Sequence, residues 1–333
     1  MNEGVKEKLI YLLKKAGQVL IVLLLLSIAV FVIARLCPGD PLKAYYGDGA
    51  EHMSEMEKDA ARERLGLNDS IATQYFRWFE NLTEGNLGLS YKYKQPVTAV
   101  IGNVWLNTLL LGIIAYLATF ALAIALGMFC ALREDRPADR IICRIGTISA
   151  NVPSFFLALL LILVFSVNLG ILPSGGAYDL GKSGDWLNRA VHLILPVSVL
   201  VLQHLWYYAY MVRNKLLEET RKDYVLLCKA EGIPRRTILC RHCFRNIMPS
   251  MLVIMAISLP HILGGTYVVE MVFGYPGLGT LSFEAAMYQD YNTLMALTML
   301  TGGAVLIFNM LAQVLSERID PRMEYEKLLQ EAV

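Results

Sequence analysis

Three short constellations in this 333-residue chain carry side chains able to do chemistry. Gly176-Ala177-Tyr178-Asp179-Leu180-Gly181-Lys182-Ser183 fits, letter for letter, the loop whose backbone N–H groups cradle phosphate. That chemistry needs a strand feeding the loop and a helix leaving it, so that a helix N-terminus faces the anion. Here Pro173-Ser174-Gly175 precede the match and Gly184-Asp185 follow it, so the expected element is an ordinary glycine-rich connection. Cys240-Arg241-His242-Cys243 is metal-capable by type, but on a helix these residues point to successive sides and cannot share one ion. His204 and His261 are titratable groups inside otherwise apolar stretches, where a histidine serves either an ion or proton relay or a hydrogen bond between helices. His-Glu-x-x-His, Gly-x-Ser-x-Gly and paired-cysteine metal signatures are absent, so no catalytic, metal or cofactor-binding residue is assigned.

The elements that position these residues are membrane helices. Apolar residues make up 56% of the chain and charged residues only 18%, outside the usual globular balance. Lipid offers the backbone no hydrogen-bond partner, so a span needs about 20 apolar residues wound as helix. Six stretches qualify: Ala16–Leu36, Val104–Leu132, Ile145–Leu172, Ala190–Val212, Ile247–Val269 and Leu294–Leu315. The expected fold class is therefore all-α integral membrane with six transmembrane helices. The first is read as a retained anchor, because no small-x-small cleavage site follows it. The middles of the six stretches hold essentially no Asp, Glu, Lys or Arg, which argues against a self-sufficient gradient-driven carrier. Net charge is +1, from 30 basic and 29 acidic residues, and gives no support to a nucleic-acid partner. The six cysteines, at positions 37, 130, 143, 228, 240 and 243, show no framework spacing and are expected reduced.

Charge placement sets orientation. Arginines 133, 136, 140 and 144 crowd the second connection, and nine basic residues crowd the fourth, against none between Glu270 and Asp290. Both termini are thus expected to be cytoplasmic. The first connection is long enough to escape the rule and rich in acids, and it reads as a small external subdomain between helices 1 and 2. The expected organisation is residues 1–36 as an N-terminal segment with the first helix, 37–103 as an external cap, 104–315 as a five-helix core and 316–333 as a cytoplasmic tail. Within the cap, Ile71–Leu82 sets Tyr75, Phe76, Trp78 and Phe79 among polar residues, as an interfacial helix would. The fourth connection, 213–246, is long for an inner loop and is broken at Gly232-Ile233-Pro234, which predicts two short helices about a turn. Solvation explains its charges. It does not explain Tyr224, Val225, Leu226, Leu227, Cys228 and Ala230 set among them, which point to a docking surface.

At these residues the chain resembles the permease subunits of bacterial binding-protein-dependent ABC importers, in the branch that handles dipeptides, oligopeptides and nickel. Asp223-Tyr224-Val225, Lys229-Ala230-Glu231-Gly232, Arg241-His242 and Arg245-Asn246 with Pro249 are similar to that family's cytoplasmic coupling loop. Ordered matches run the length of the chain: Pro38-Gly39-Asp40-Pro41, Leu65-Gly66-Leu67, Val152-Pro153, Gly264-Gly265 with Glu270, Pro276-Gly277-Leu278-Gly279, Asp290-Tyr291 and Asp320-Pro321-Arg322. The chain departs from the pattern at Leu226-Leu227-Cys228, where the wider superfamily has Glu-Ala-Ala, and at Leu106 and Cys243. The resemblance implies a non-catalytic, multi-pass subunit of the bacterial inner membrane. It also implies a second homologous permease, two cytoplasmic ATPase subunits and an external solute-binding protein as partners. Asp223, Tyr224, Ala230, Glu231, Gly232, Arg241, His242, Arg245 and Asn246 are then the ATPase-coupling residues, and Asn151, Ser154, His204 and His261 the candidates for the translocation path. Small peptides are the first substrate reading. Nickel or a nickel chelate is the alternative, since imidazole suits that metal and His261 is the soft side chain placed to meet it.

Overall fold

The computed structural model describes residues 3–36, 41–149 and 151–319. Pro38-Gly39-Asp40, Cys37 and Asp320-Pro321-Arg322 lie outside the described residues. The described chain is helical throughout, with a single isolated bridge between Leu89 and Pro96 in place of any strand. It divides into two compact units, one of Met1–Leu106 with Gly277–Ile307 and one of Asn107–Pro276 with Phe308–Val333.

In the first unit, α1 (Glu3–Leu36) carries the most apolar span, Leu13–Leu36. After it come α2 (Pro41–Tyr46), a 3-10 turn and α3 (Glu55–Arg64). Ser54 and Glu57 close a reciprocal capping box on α3, satisfying two otherwise orphaned N–H groups. Next is α4 (Ile71–Thr83), whose strongly two-faced sequence turns Tyr75 and Trp78 toward α1 and leaves Phe76 and Phe79 exposed. The Ser27 hydroxyl meets that of Tyr75 at 2.8 Å, and Phe31 packs edge-on against Tyr75 at 5.4 Å. The segment after α4 leads to α5 (Val97–Gly102) and is tied to α13 (Leu278–Met287) and α14 (Tyr291–Ile319). Asp290, fully buried, accepts from Ser90, from Thr293 Oγ1 at 2.8 Å and from the Lys92 N–H at 3.3 Å. Lys92 also pairs with Glu284 at 2.7 Å. Residues 41–103 thus pack with α1 and 277–307 in one body.

In the second unit, α6 (Trp105–Leu132), α9 (Trp186–Glu219) and α12 (Phe244–Val272) are long enough to cross the bilayer. Small residues let their backbones approach, as lipid-embedded packing requires. At Gly127 of α6 a Cβ would stand 2.6 Å from the Ala209 carbonyl of α9. Three successive apolar clusters fill the space between these helices, from Leu111 and Leu200 at one end, through Phe120 and Ile262, to Val212, Leu239 and Met251 at the other.

Among the described residues five continuous helices are long and apolar enough to cross a membrane, and a pair bent by 107° makes the sixth where it crosses as one span. The break is a correction. Ile145–Leu172 is not one helix: α7 (Pro137–Ser149) ends, Asn151 and Val152 form a turn, and α8 (Ser154–Leu161) begins at Pro153 and runs on as a π-helical stretch Ile162–Asn168. Pro153 has no N–H to give a continuing helix and biases Val152 to extended backbone, so the apolar run is cut where composition alone reads through. A second correction concerns 213–246. Only α10 (Asp223–Ala230) is a separate short helix; α11 (Arg235–Thr237) passes through a π-helical turn Ile238–Cys243 into α12, and α9 runs on to Glu219.

Candidate functional site

The turn between α9 and α12 is built around one carboxylate. Glu219, buried at the last turn of α9, accepts from Lys222 Nζ at 2.6 Å, Tyr224 Oη at 3.0 Å and Asn246 Nδ2 at 3.1 Å. Three elements therefore meet at one group, and its negative charge is matched by Lys222 and two neutral donors. The Tyr224 hydroxyl also reaches Cys243 Sγ at 3.5 Å. Burial, and then Cys243 and Glu219 beside it, push the Tyr224 phenol well above its ordinary value, so it remains a donor.

Behind this hub α10 is anchored by Val225, which is fully buried among Val212, Leu239 and Ile247. Its C-terminus closes in a Schellman motif: Gly232 N–H donates to Lys229 O at 3.1 Å and Ile233 N–H to Cys228 O at 3.0 Å. Gly232 sits at φ +77°, a conformation that glycine adopts without the penalty a Cβ imposes. Arg235 then reaches across to the end of α6, donating to Ala131 O at 3.1 Å and Glu134 at 2.9 Å. The opposite face of α10 is open, with Leu226 and Leu227 60% and 61% exposed. Ala230, one turn on, is exposed on the same stripe, and Asp223, Glu231, Gly232, Arg241, Arg245 and Asn246 are exposed around it. His242 is half-buried.

Of the nine loop residues singled out from the sequence, the fold brings Tyr224 and Asn246 onto one buried group and leaves most of the others on the surface. Glu219 was not among them. Its signal was an acid three residues before Lys222 and five before Tyr224, at the end of an amphipathic extension beyond the apolar span. A second unforeseen pair holds α7 to α9: Arg213 donates from Nε at 2.7 Å and Nη2 at 2.6 Å to the buried carboxylate of Asp139, which also accepts the Asp135 N–H at 3.0 Å.

Among the path candidates, His204 and His261 lie together, ring centroids 5.4 Å apart and inclined at 72°. His204 is buried, and its Nε2 has no hydrogen-bond partner; His261 is exposed. Asn151 donates its amide to Thr147 O at 2.7 Å, and Ser154 opens α8; neither is hydrogen-bonded to the histidines. One buried acid belongs to a span that composition left uncharged: Glu270, fully buried near the end of α12. Nearby Tyr275 is buried too, and burial first, then the charge of Glu270, pushes its phenol up to about 12.

The phosphate-loop match takes another form. A π-helical stretch precedes it, α9 begins only at Trp186, and Lys182 is turned onto Asp179 at 3.2 Å. Asp179 also accepts from Asn188 at 2.7 Å, and the carbonyl of Gly175 faces His192 Nδ1 at 2.9 Å. This is a folded connection without the anion-facing helix terminus a nucleotide needs.

Fold and site together define a polytopic all-helical membrane subunit whose open face is a short helix at the end of two long spans. Residues 123–325 match the family described as binding-protein-dependent transport system inner membrane component, and residues 8–112 match its N-terminal membrane-component family. The chain belongs to this family: it is a non-catalytic permease subunit, multi-pass in the bacterial inner membrane. It is 32% identical over 316 residues to the oligopeptide transport system permease protein AppB of Bacillus subtilis, covering 95% of this chain and 99% of that one. It is 30% identical over 317 residues to OppB of Haemophilus influenzae, with 95% and 99% covered. Among solved structures, the MetNI methionine ABC transporter in an inward-facing conformation matches with a TM-score of 0.55 at 16% identity, over 67% of this chain and 97% of that chain, a likeness of fold.

Proposed function

We propose that this chain forms half of the translocation pathway of an ATP-driven importer of small peptides. A second homologous permease supplies the other half, two cytoplasmic ATPase subunits drive it, and an external solute-binding protein delivers the substrate to the side opposite the termini. The observation that carries the coupling role is the exposed apolar stripe of Leu226, Leu227 and Ala230 on α10, whose other face is locked into the core by Val225. A helix held by its buried face and with an open apolar face transmits displacement to α9 and α12, which the Glu219 hub ties to it. Peptide as substrate is supported by the relatives named for oligopeptide and peptide transport.

In the reconstituted complex, Ala230→Asp puts a charge into the apolar stripe, and Gly232→Pro removes the left-handed turn. Both are expected to abolish binding-protein-stimulated ATP hydrolysis while membrane insertion persists. Normal stimulation in both would end the assignment. The juxtaposition of His204 and His261 favours a second reading, passage of nickel or a nickel chelate, by soft imidazole contacts. Nickel accumulation indifferent to excess peptides and lost in His261→Ala would replace the peptide reading.

A further inference from the structure

The first unit contains a cavity of about 490 Å³ that the transport reading does not use. Three arginines line it, Arg35 at the end of α1, Arg64 at the end of α3 and Arg77 on α4, and among the described residues no acidic side chain does. Arg77 holds Asp69 at 2.9 Å. Arg35 has no acidic partner among the described residues. Its guanidinium is half-buried, 4.9 Å from the Tyr291 ring centroid and 5.3 Å from that of Phe31. A terminal arginine on a span ordinarily extends into water; this one is turned inward and desolvated, which is costly without a counter-charge.

We infer that this cavity binds the headgroup of an anionic lipid of the phosphatidylglycerol type, with Arg35 and Arg64 on its phosphate. Arg35 and Arg64, two guanidiniums without a carboxylate partner among the described residues, call for an oxyanion. A lipid is the source because exposed apolar side chains flank the residues that line the cavity. Ile33 and Leu36 of α1 are 66% and 70% exposed, and Phe76 of the interfacial α4 is 69% exposed, so acyl chains have apolar walls to follow. The site lies in the leaflet on the far side from the amino terminus, and it does not depend on which substrate crosses.

The test is native mass spectrometry of the delipidated full chain, titrated with phosphatidylglycerol, phosphatidic acid and phosphatidylcholine of equal acyl length, and with inorganic phosphate. Phosphatidylglycerol is expected to bind about tenfold more tightly than phosphatidylcholine, which has the same phosphate but sets its choline cation against the two arginines. Arg35→Gln removes that preference, Arg64→Gln at the exposed end of α3 reduces it, and Arg62→Gln, outside the cavity, leaves it intact. Equal binding of the anionic and zwitterionic lipids, or an unchanged preference in Arg64→Gln and a folded Arg35→Gln, overturns the site. Displacement of bound phosphatidylglycerol by millimolar inorganic phosphate overturns the lipid assignment in favour of a free anion.

Discussion

The Glu219 carboxylate accepts the Tyr224 hydroxyl at 3.0 Å, joining the last turn of α9 to the first turn of α10. Asn246, at the start of α12, donates to the same oxygen at 3.1 Å. A push on α10 is therefore delivered to both long helices through one buried group. Tyr224→Phe keeps the ring and removes the link; Glu219→Gln keeps the shape and removes the charge. A hydrogen bond to a charged group contributes about 1.5–3 kcal/mol, so stimulated ATP hydrolysis in the reconstituted complex is expected to fall about tenfold. Basal hydrolysis, which belongs to the ATPase subunits, should remain. Stimulation at the wild-type level in both variants would show that the hub is structural only.

The bidentate contact from Arg213 to Asp139 makes a stability prediction of a different kind. Asp139 is 1% exposed, and Arg213 supplies its counter-charge. Removing one partner leaves the other buried and unpaired, a loss of about 3–5 kcal/mol, whereas replacing both with apolar residues of similar size is often close to neutral. Asp139→Asn and Arg213→Met should each lower the apparent thermal midpoint of the detergent-solubilised chain by several degrees, and Asp139→Leu with Arg213→Met should recover most of it. A double variant no better than the worse single variant would refute the pairing.

What could be read from the sequence follows from what lipid and chain geometry demand locally. Leu13–Leu36 is legible because a span must be predominantly apolar over about 20 residues, and Gly232-Ile233-Pro234 because a left-handed residue followed by proline ends one helix and opens another. The Glu219 hub was not legible, because Asn246 lies 27 residues away and meets it only when α12 returns alongside α9. Asp139 and Arg213, 74 residues apart, were hidden in the same way among charges that solvation already explained. Pro153 was in view, yet the apolar run on both sides of it outweighed the one residue that breaks it. The polar residues proposed for the path were chosen by type, and type did not reveal that His204 and His261 would be neighbours while Asn151 would turn back onto its own helix.

That break makes the third crossing the decisive point of the topology. α8 and its π-helical extension hold 8 and 7 residues. They rise at most about 22 Å, short of a hydrocarbon core of about 30 Å, so a full crossing also needs the end of α7, which meets α8 at a bend of 107°. If α7 completes it, Arg136 and Ser183 lie on opposite sides; if α7 and α8 dip in and return, they lie on the same side. Single cysteines at Arg136, Ser183, Arg236 and Met287, in a background lacking the native cysteines, can be labelled in intact cells with a membrane-impermeant maleimide. All four positions are exposed, whereas Gly279, in the same connection as Met287, is buried and would report falsely. Labelling is expected at Ser183 and Met287 from outside, and at Arg136 and Arg236 only after the cells are opened. The arginine-rich connections then face the cytoplasm, as their charge requires. Labelling of Arg136 together with Ser183 from outside would reduce the spans to five and place the two termini on opposite sides of the membrane.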